Sequence, residues 1–162
     1  MTKKDHPKTN AIRCMEQHGI AFEVFTYTYE DRGGTRVSSR ELGVDEHVIV
    51  KTLVMETDCK EPLIVLMHGD REVSTKQLAR ILGVKSVAAC DPKVADRHSG
   101  YQVGGTSPFG TRRPLPVYVE QTILDLDRIY INAGHRGLLL RIDPKDIAKA
   151  LQITPIQVAI GP

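Results

Sequence analysis

Glycine and proline interrupt this 162-residue chain so often that only short helices and strands fit between them. Glycine ends a helix where it provides the residue after the C-cap, as at Gly19, Gly43 and Gly83. Proline opens a helix at its first turn, as in Asp91-Pro92. Helical and β-branched segments are interspersed without a regular strand–helix–strand rhythm. We therefore predict an α+β fold with a mixed sheet surrounded by helices, and closure of that sheet into a barrel is one alternative.

The predicted elements follow from these boundaries and from the apolar patterns between them. Helices are predicted over 7–18, from Ser38 or Ser39 to Gly43, from Ser74 to Leu82, from Asp91 to Gly100, and from Asp143 to Leu151. Strands are predicted over 20–25, 48–55, 63–67, 116–120, 128–131 and 138–142. The polar segment 27–36 is predicted to be an exposed loop. Because no linker or low-complexity segment is found, residues 1–162 are predicted to form a single domain.

Composition excludes several classes of protein. Hydrophobic residues at 41% and charged residues at 26% are typical of a soluble globular protein, and a net charge of +2 does not by itself indicate nucleic acid. No apolar run approaches the ~20 residues of a membrane helix, so no membrane association is expected. The three cysteines form no CxxC, which indicates reduced thiols and a cytoplasmic location. The six histidines include no HExxH and no zinc-type spacing with cysteine, so neither a metal nor another cofactor is expected.

The loop 103–110, with the sequence Val-Gly-Gly-Thr-Ser-Pro-Phe-Gly, is the clearest candidate binding site. Gly104 and Gly105 lack Cβ atoms, so the backbone here can direct N–H groups at an oxyanion or a phosphate. The spacing matches neither a dinucleotide fingerprint nor a P-loop, and the loop serine does not lie in a Gly-x-Ser-x-Gly elbow. The alternative is a tight turn in which Pro108 fixes φ. The residues alone leave both interpretations open.

Lys51 is the only charged residue in the apolar run 48–55. Strand alternation places its side chain on the face opposite to that of Thr52. A lysine in this setting can hold an anion close to the glycine loop. The alternative, which composition alone favours, is an edge-strand lysine that reaches solvent and prevents edge pairing.

A set of short motifs then extends over nearly the whole chain. They are Phe25-Thr26-Tyr27, Val50-Lys51-Thr52-Leu53, Leu82-Gly83, Asp91-Pro92-x-Val94-Ala95, the segment 100–110, Arg128-Ile129-Tyr130 and Gly134-His135-Arg136-Gly137-Leu138. Together they resemble the YbaK/EbsC family of aminoacyl-tRNA deacylases, the free-standing relatives of the prolyl-tRNA synthetase editing domain. The Gly-Gly-x-Ser-Pro-x-Gly stretch, followed by basic residues and Leu-Pro, is the most specific of these motifs.

The resemblance implies a metal-free hydrolase that cleaves the ester between an amino acid and tRNA. It implies that Lys51 is the essential lysine, which holds the terminal phosphate or ribose, and that backbone amides of Gly104 and Gly105 are the catalytic donors to the aminoacyl carbonyl. In cysteine-directed members the substrate's own thiol attacks its carbonyl, so no catalytic triad is needed. Substrate-binding roles are then expected for Tyr27, Thr52, Thr106, Ser107, Pro108 and Leu139. Contacts with the tRNA body are expected for Arg112 and Arg113.

Cys-tRNA(Pro) is the expected substrate, with tRNA(Pro) and prolyl-tRNA synthetase as expected partners. One departure concerns Leu139, which lies roughly where cysteine-directed members of the family have an aspartate. A deacylase for another mischarged amino acid is therefore an alternative. Two further alternatives are a non-catalytic module that binds tRNA or a nucleotide, and a regulatory partner of a synthetase.

Overall fold

A mixed β-sheet forms the centre of the computed structural model, which describes residues 6–161. The strands among residues 6–161 are β1 (Glu23–Thr26), β2 (Ile49–Thr57), β3 (Pro62–His68), β4 (Glu72–Val73), β5 (Val87–Ala89), β6 (Val117–Glu120), β7 (Ile129–His135), β8 (Leu138–Ile142), β9 (Ile153–Ile156) and β10 (Ala159–Ile160). Eight of these ten strands form the central sheet, and β4 and β10 form a separate small sheet. The α-helices are α1 (Asn10–Gln17), α2 (Gly34–Leu42), α3 (Thr75–Leu82), α4 (Pro92–Ser99) and α5 (Ile147–Ala150).

The strand order in the large sheet is β1-β8-β7-β2-β3-β6-β9, and β5 also pairs with β2. Pairs β1–β8, β7–β8, β2–β3 and β2–β5 are antiparallel, whereas β2–β7, β3–β6 and β6–β9 are parallel. The predicted α+β fold with a mixed sheet is therefore confirmed. In the part of the chain that the structure describes, this path ends at β1 and at β9 and does not close into a ring.

Both faces of the central strands are buried, because their apolar residues alternate between two clusters. Val50 and Val54 of β2 belong to the same buried cluster as Phe109 and residues of α1, whereas Met55 belongs to the cluster that contains Met67 and Leu78 of α3. A strand covered on both sides has a near-continuous apolar sequence. This explains the uninterrupted apolar runs that predicted β2 and β3.

Helix boundaries agree with the sequence prediction where a cap is local and differ where tertiary contacts redirect a side chain. The predicted cap at Ser74 is confirmed, since its hydroxyl accepts a hydrogen bond from the Gln77 amide. The predicted start of the second helix is wrong, because α2 begins at Gly34 within the segment expected to be a loop. Ser38 and Ser39 lie inside α2, where their hydroxyls donate to the carbonyls of Thr35 and Val44.

Four short strands, β4, β5, β9 and β10, were not predicted. They have two to four residues each, and their pairing partners come from distant parts of the chain. No helix among residues 6–161 is long and apolar enough to cross a membrane. The single-domain organisation over 1–162 stays a prediction, and its two ends lie outside the described residues.

One feature of β2 positions the site. On the edge away from β3, β7 pairs with Ile49 and Val50, whereas β5 pairs with the segment from Met55 to Thr57. Among residues 6–161, no strand pairs with the middle of β2 on this edge. We call this interruption, over residues 51–53, the strand gap.

Candidate active site

A cavity of about 460 Å³ lies along the strand gap. Its wall contains β2 from Ile49 to Val54, Cys90 after β5, and Asn132 of β7. The segment between β1 and α2 and the glycine loop complete it. The volume lies within the ~300–1,000 Å³ of ordinary small-molecule sites, so the cavity can hold a ligand of that size.

The structure brings together six of the residues predicted for the site and leaves five outside the cavity wall. Those in the wall are Tyr27, Lys51, Thr52, Gly104, Thr106 and Leu139. Ser107 is fully buried, and its hydroxyl accepts a hydrogen bond from the Phe109 amide, so it shapes the loop from behind. Gly105 and Pro108 are buried within the same loop. Arg112 and Arg113 are exposed beyond it.

The two adjacent glycines of the loop have different environments. Gly104 has a φ of +93°, and a Cβ atom there would lie 2.4 Å from the Tyr29 hydroxyl oxygen. The Gly105 amide donates to the Gln102 carbonyl at 2.7 Å. A Cβ atom on Gly105 would lie 2.6 Å from the Arg136 backbone nitrogen. Gly105 therefore permits close packing against the turn between β7 and β8, while its amide is already occupied.

The amides of Gly104 and Thr106 are in a different situation. Among residues 6–161, neither donates to an acceptor within hydrogen-bonding geometry. Both residues are in the cavity wall. Of the loop amides without an acceptor among the described residues, these two belong to residues of the cavity wall, whereas the Gly105 amide, which the sequence interpretation proposed as a donor, is engaged with Gln102.

Side chains from β7 and the turn after it hold the glycine loop in place. The Asn132 side-chain amide donates to the Gly104 carbonyl at 3.2 Å, and its Oδ1 accepts from the amides of Gly134 and His135. The Arg136 Nε donates to the Val103 carbonyl at 2.9 Å. Asn132 was not selected from the sequence, because nothing in its local pattern indicates a partner 28 residues earlier.

Aromatic and cationic groups lie together at the cavity. The Arg136 guanidinium lies 4.9 Å from the centroid of the Tyr29 ring, a cation–π geometry. Arg32 and Lys51 are also in the wall, together with the acidic Glu30 and Asp31. Arg136 was not predicted as a site residue, although it lies in a motif of the resemblance.

Lys51 projects from the interior strand β2, so the alternative of an edge-strand lysine is wrong. Its side chain is 18% exposed, and the ammonium donates to the Arg71 carbonyl. It also forms an ion pair with Glu72 at 3.3 Å. The turn between β3 and β4 therefore orients the lysine.

Two ionisable groups in the wall are held in their neutral forms. Burial raises the pKa of the Tyr27 phenol, and the neighbouring Tyr29 raises it further. Burial, together with the charge of Glu56 and a hydrogen bond to it, raises the pKa of Cys90 to about 11. Cys90 is therefore a thiol near pH 7, and only the thiolate is an effective nucleophile.

The structure also assembles clusters that sequence spacing did not indicate. Ligand atoms of Glu56, Cys90 and His98 lie within 4.8 Å of one another. Burial and the adjacent Arg113, which hydrogen-bonds the ring of His98, lower the pKa of this histidine. A neutral imidazole and a cysteine are potential metal ligands. That the protein works without a metal therefore stays a prediction.

A second cluster contains His47, His68 and Asp70. The two imidazole rings are stacked with their centroids 3.8 Å apart. Both ring nitrogens of His68 are engaged, one with the His47 carbonyl at 2.9 Å and the other with the Thr122 hydroxyl at 2.7 Å. This cluster packs the start of β2 against the end of β3.

Comparisons with known proteins agree with this geometry. Residues 34–150 match the family described as the aminoacyl-tRNA editing domain. The chain is 31% identical over 146 residues to EbsC of Enterococcus faecalis, a candidate Cys-tRNA(Pro)/Cys-tRNA(Cys) deacylase, and the match covers 90% of this chain and 89% of EbsC. It is also 30% identical over 100 residues to the proline–tRNA ligase of Desulfotalea psychrophila, covering 62% of this chain and 17% of the ligase.

A solved structure has the same fold. The crystal structure of a candidate trans-editing enzyme for prolyl-tRNA synthetase superposes with a TM-score of 0.79 at 20% identity, covering 94% of this chain and 99% of the other. The family match includes Lys51 and the whole glycine loop. On these grounds the chain belongs to the YbaK/EbsC family of aminoacyl-tRNA deacylases, within the aminoacyl-tRNA editing domains.

Proposed function

We propose that this protein hydrolyses mischarged Cys-tRNA(Pro) in trans. The observation that carries the proposal is the pair of available amides, on Gly104 and Thr106, in the wall of a cavity that also contains Lys51. The names of EbsC and of the editing-enzyme structure support the same substrate class. Translation takes place in the cytoplasm, so a cytoplasmic location follows from the proposal.

The two amides would stabilise the oxyanion that forms on the aminoacyl carbonyl. Loss of one such donor typically raises the barrier by ~2.7–4 kcal/mol, so the loop can supply a large part of the catalysis. In the cysteine-directed reaction, the substrate thiol forms a C–S bond with its own carbonyl carbon. The C–O bond to the ribose breaks, and the thiol proton passes to the ribose oxygen. The thiolactone formed in this step is then hydrolysed by water to free cysteine. The high pKa of Cys90 is consistent with a nucleophile that comes from the substrate.

Lys51 and the arginines would hold the tRNA. The ion pair between Lys51 and the exposed Glu72 is one that a phosphate can replace, because surface ion pairs contribute little to stability. Arg136, at the cavity, is an additional candidate for the terminal phosphates. Arg112 and Arg113 are assigned to the tRNA body, with tRNA(Pro) and prolyl-tRNA synthetase as the proposed partners.

The test is deacylation of Cys-tRNA(Pro), Ala-tRNA(Pro) and Pro-tRNA(Pro) by the wild-type protein and by Lys51→Ala. We expect loss of the cysteinyl ester alone, at least a hundredfold slower in Lys51→Ala because the ester is no longer positioned. Lys76→Ala, an exposed lysine on α3, is the control and should retain full activity. A chelator should have no effect.

Other outcomes have specific meanings. Hydrolysis of the alanyl ester instead would keep the enzyme class and change the substrate. Leu139 would then be the first residue to examine, because its buried apolar side chain is part of the wall roughly where the family resemblance leads us to expect an aspartate. Stability of all three esters would overturn the proposal.

A further inference from the structure

The strand gap exposes polar backbone groups at the centre of the sheet. On its β5 side, the last hydrogen bond runs from the Cys90 amide to the Val54 carbonyl at 3.1 Å. On its β7 side, pairing ends at Val50 and Ile131. Thr52 lies midway between these two ends.

The phase of β2 determines where the backbone groups of Thr52 point. In a strand, the N–H and C=O groups of alternate residues face the same edge. The Ile49 carbonyl accepts from the Gly69 amide on the β3 side, and the Val54 carbonyl faces β5. Thr52 is two residues before Val54, so its N–H and C=O point to the same edge as those of Val54 and face the strand gap. No strand among residues 6–161 pairs with them there.

The side chain of Thr52 presents a third unpaired group. Its Oγ1 is buried and has no hydrogen-bond partner in the part of the chain that the structure describes. Well over nine in ten buried backbone polar groups in proteins are paired, and most buried side-chain polar atoms are as well. One residue with three unpaired polar groups in the cavity wall therefore indicates a polar ligand.

We propose that the strand gap binds the aminoacyl group itself, and that Thr52 recognises its α-ammonium. The Thr52 carbonyl and Oγ1 accept hydrogen bonds from the ammonium, and the Thr52 amide donates to an oxygen of the substrate. The aminoacyl group thus occupies the place of the missing strand residue, as in strand addition. This assignment rests on the proposed deacylase function. It specifies how the site selects an aminoacyl ester that has a free α-amino group.

The surrounding charges are compatible with a bound ammonium. Lys51, the nearest cation along the strand, projects to the opposite face and is held by Arg71 and Glu72. Glu30 and Asp31 in the wall offset the charges of Arg32 and Arg136 there, and Arg136 is engaged with the Val103 carbonyl and the Tyr29 ring. Amides of the glycine loop would then bind the carbonyl of the same aminoacyl group.

The test compares two esters on the same tRNA, cysteinyl and 3-mercaptopropionyl, which differ only in the α-ammonium. Each enzymatic rate is divided by the spontaneous rate of that ester, because the ammonium also activates the ester chemically. We expect the relative kcat/KM of the deamino ester to be about tenfold to a hundredfold lower, the range for a lost hydrogen bond to a charged group.

Thr52→Val tests the hydroxyl at nearly constant volume. We expect it to lower kcat/KM for the cysteinyl ester by about fivefold to tenfold and to leave the deamino ester almost unchanged. Thr52→Ser, which keeps the hydroxyl, should behave as wild type. Thr154→Val, an exposed threonine of β9, is the control. The substrate comparison on the wild-type protein needs no variant and stands even if Thr52→Val fails to fold.

The outcomes separate this assignment from the function on which it rests. Equal acceleration of both esters, or an equal loss of both in Thr52→Val, would overturn recognition of the ammonium while leaving the deacylase intact. Acceleration of neither ester would overturn the deacylase and this assignment together. If another amino acid proves to be the substrate, the same comparison applies to that acid and its deamino form.

Discussion

Gly104 shows how much of the site depends on the conformation of one residue. Its φ of +93° lies in a region that side chains rarely adopt, and the Tyr29 hydroxyl occupies the space of its missing Cβ. Gly104 is in the cavity wall, and its amide has no acceptor among residues 6–161. A substitution here should therefore affect both stability and catalysis.

We expect Gly104→Ala to lower the free energy of unfolding by about 1–3 kcal/mol, from backbone strain. We also expect deacylation to slow by at least tenfold, because Tyr29 or the loop must move and the amide loses its direction. Urea unfolding and kcat/KM check the two effects. Gly19→Ala is the matched control, since Gly19 has a φ of +65° but none of the described residues lies within 4 Å of a Cβ atom there. It should lose stability and keep its activity; wild-type kcat/KM in Gly104→Ala would contradict the role of this amide.

At the scale of elements, the β7–β8 hairpin supports the glycine loop. Asn132 bonds to the loop through its amide nitrogen and to its own hairpin through Oδ1. A short hydrogen-bonded hairpin is more rigid than a glycine-rich loop, so it can impose a conformation on the loop. At the other end of the loop, Gly110 permits a close approach of the backbone to the Asn10 carbonyl of α1.

Two substitutions of Asn132 separate these bonds. Asn132→Asp retains the acceptor for Gly134 and His135 and removes the donor to Gly104, so we expect nearly wild-type stability with at least a fivefold loss of kcat/KM. Asn132→Ala removes all three bonds and should also destabilise the protein by about 1–3 kcal/mol, because hairpin amides lose their acceptor. Chemical denaturation and deacylation kinetics provide the comparison. Full activity in Asn132→Asp would show that the loop does not need this support.

At the scale of the whole molecule, the net charge of +2 is small, so binding of tRNA should depend on a few placed cations. Exposed Arg112 and Arg113 follow the glycine loop and lie outside the cavity. The phosphates of an extended RNA can reach these two arginines while the aminoacyl end occupies the cavity.

We expect Arg112→Gln/Arg113→Gln to weaken tRNA binding and to flatten its dependence on salt. Each lost phosphate contact should reduce the slope of log K against log[salt] by about 0.7–0.9. Filter binding over a range of salt concentrations measures the slope. Arg13→Gln/Arg80→Gln, with exposed arginines on α1 and α3, is the control and should leave the slope unchanged. The assignment fails if the slope of Arg112→Gln/Arg113→Gln equals that of wild type.

The sequence by itself determined the main strands, the glycine-terminated helices, the glycine loop and Lys51, because apolar runs, caps and glycine conformations are local properties. It also carried the family resemblance, which selected six residues of the cavity wall. Only the tertiary structure decided which loop amides are available, that Asn132 and Arg136 hold the loop, and that β2 has a gap at Thr52. These features depend on which distant strands pair and where each pairing ends. No local pattern encodes this, since it is set by packing of the entire sheet.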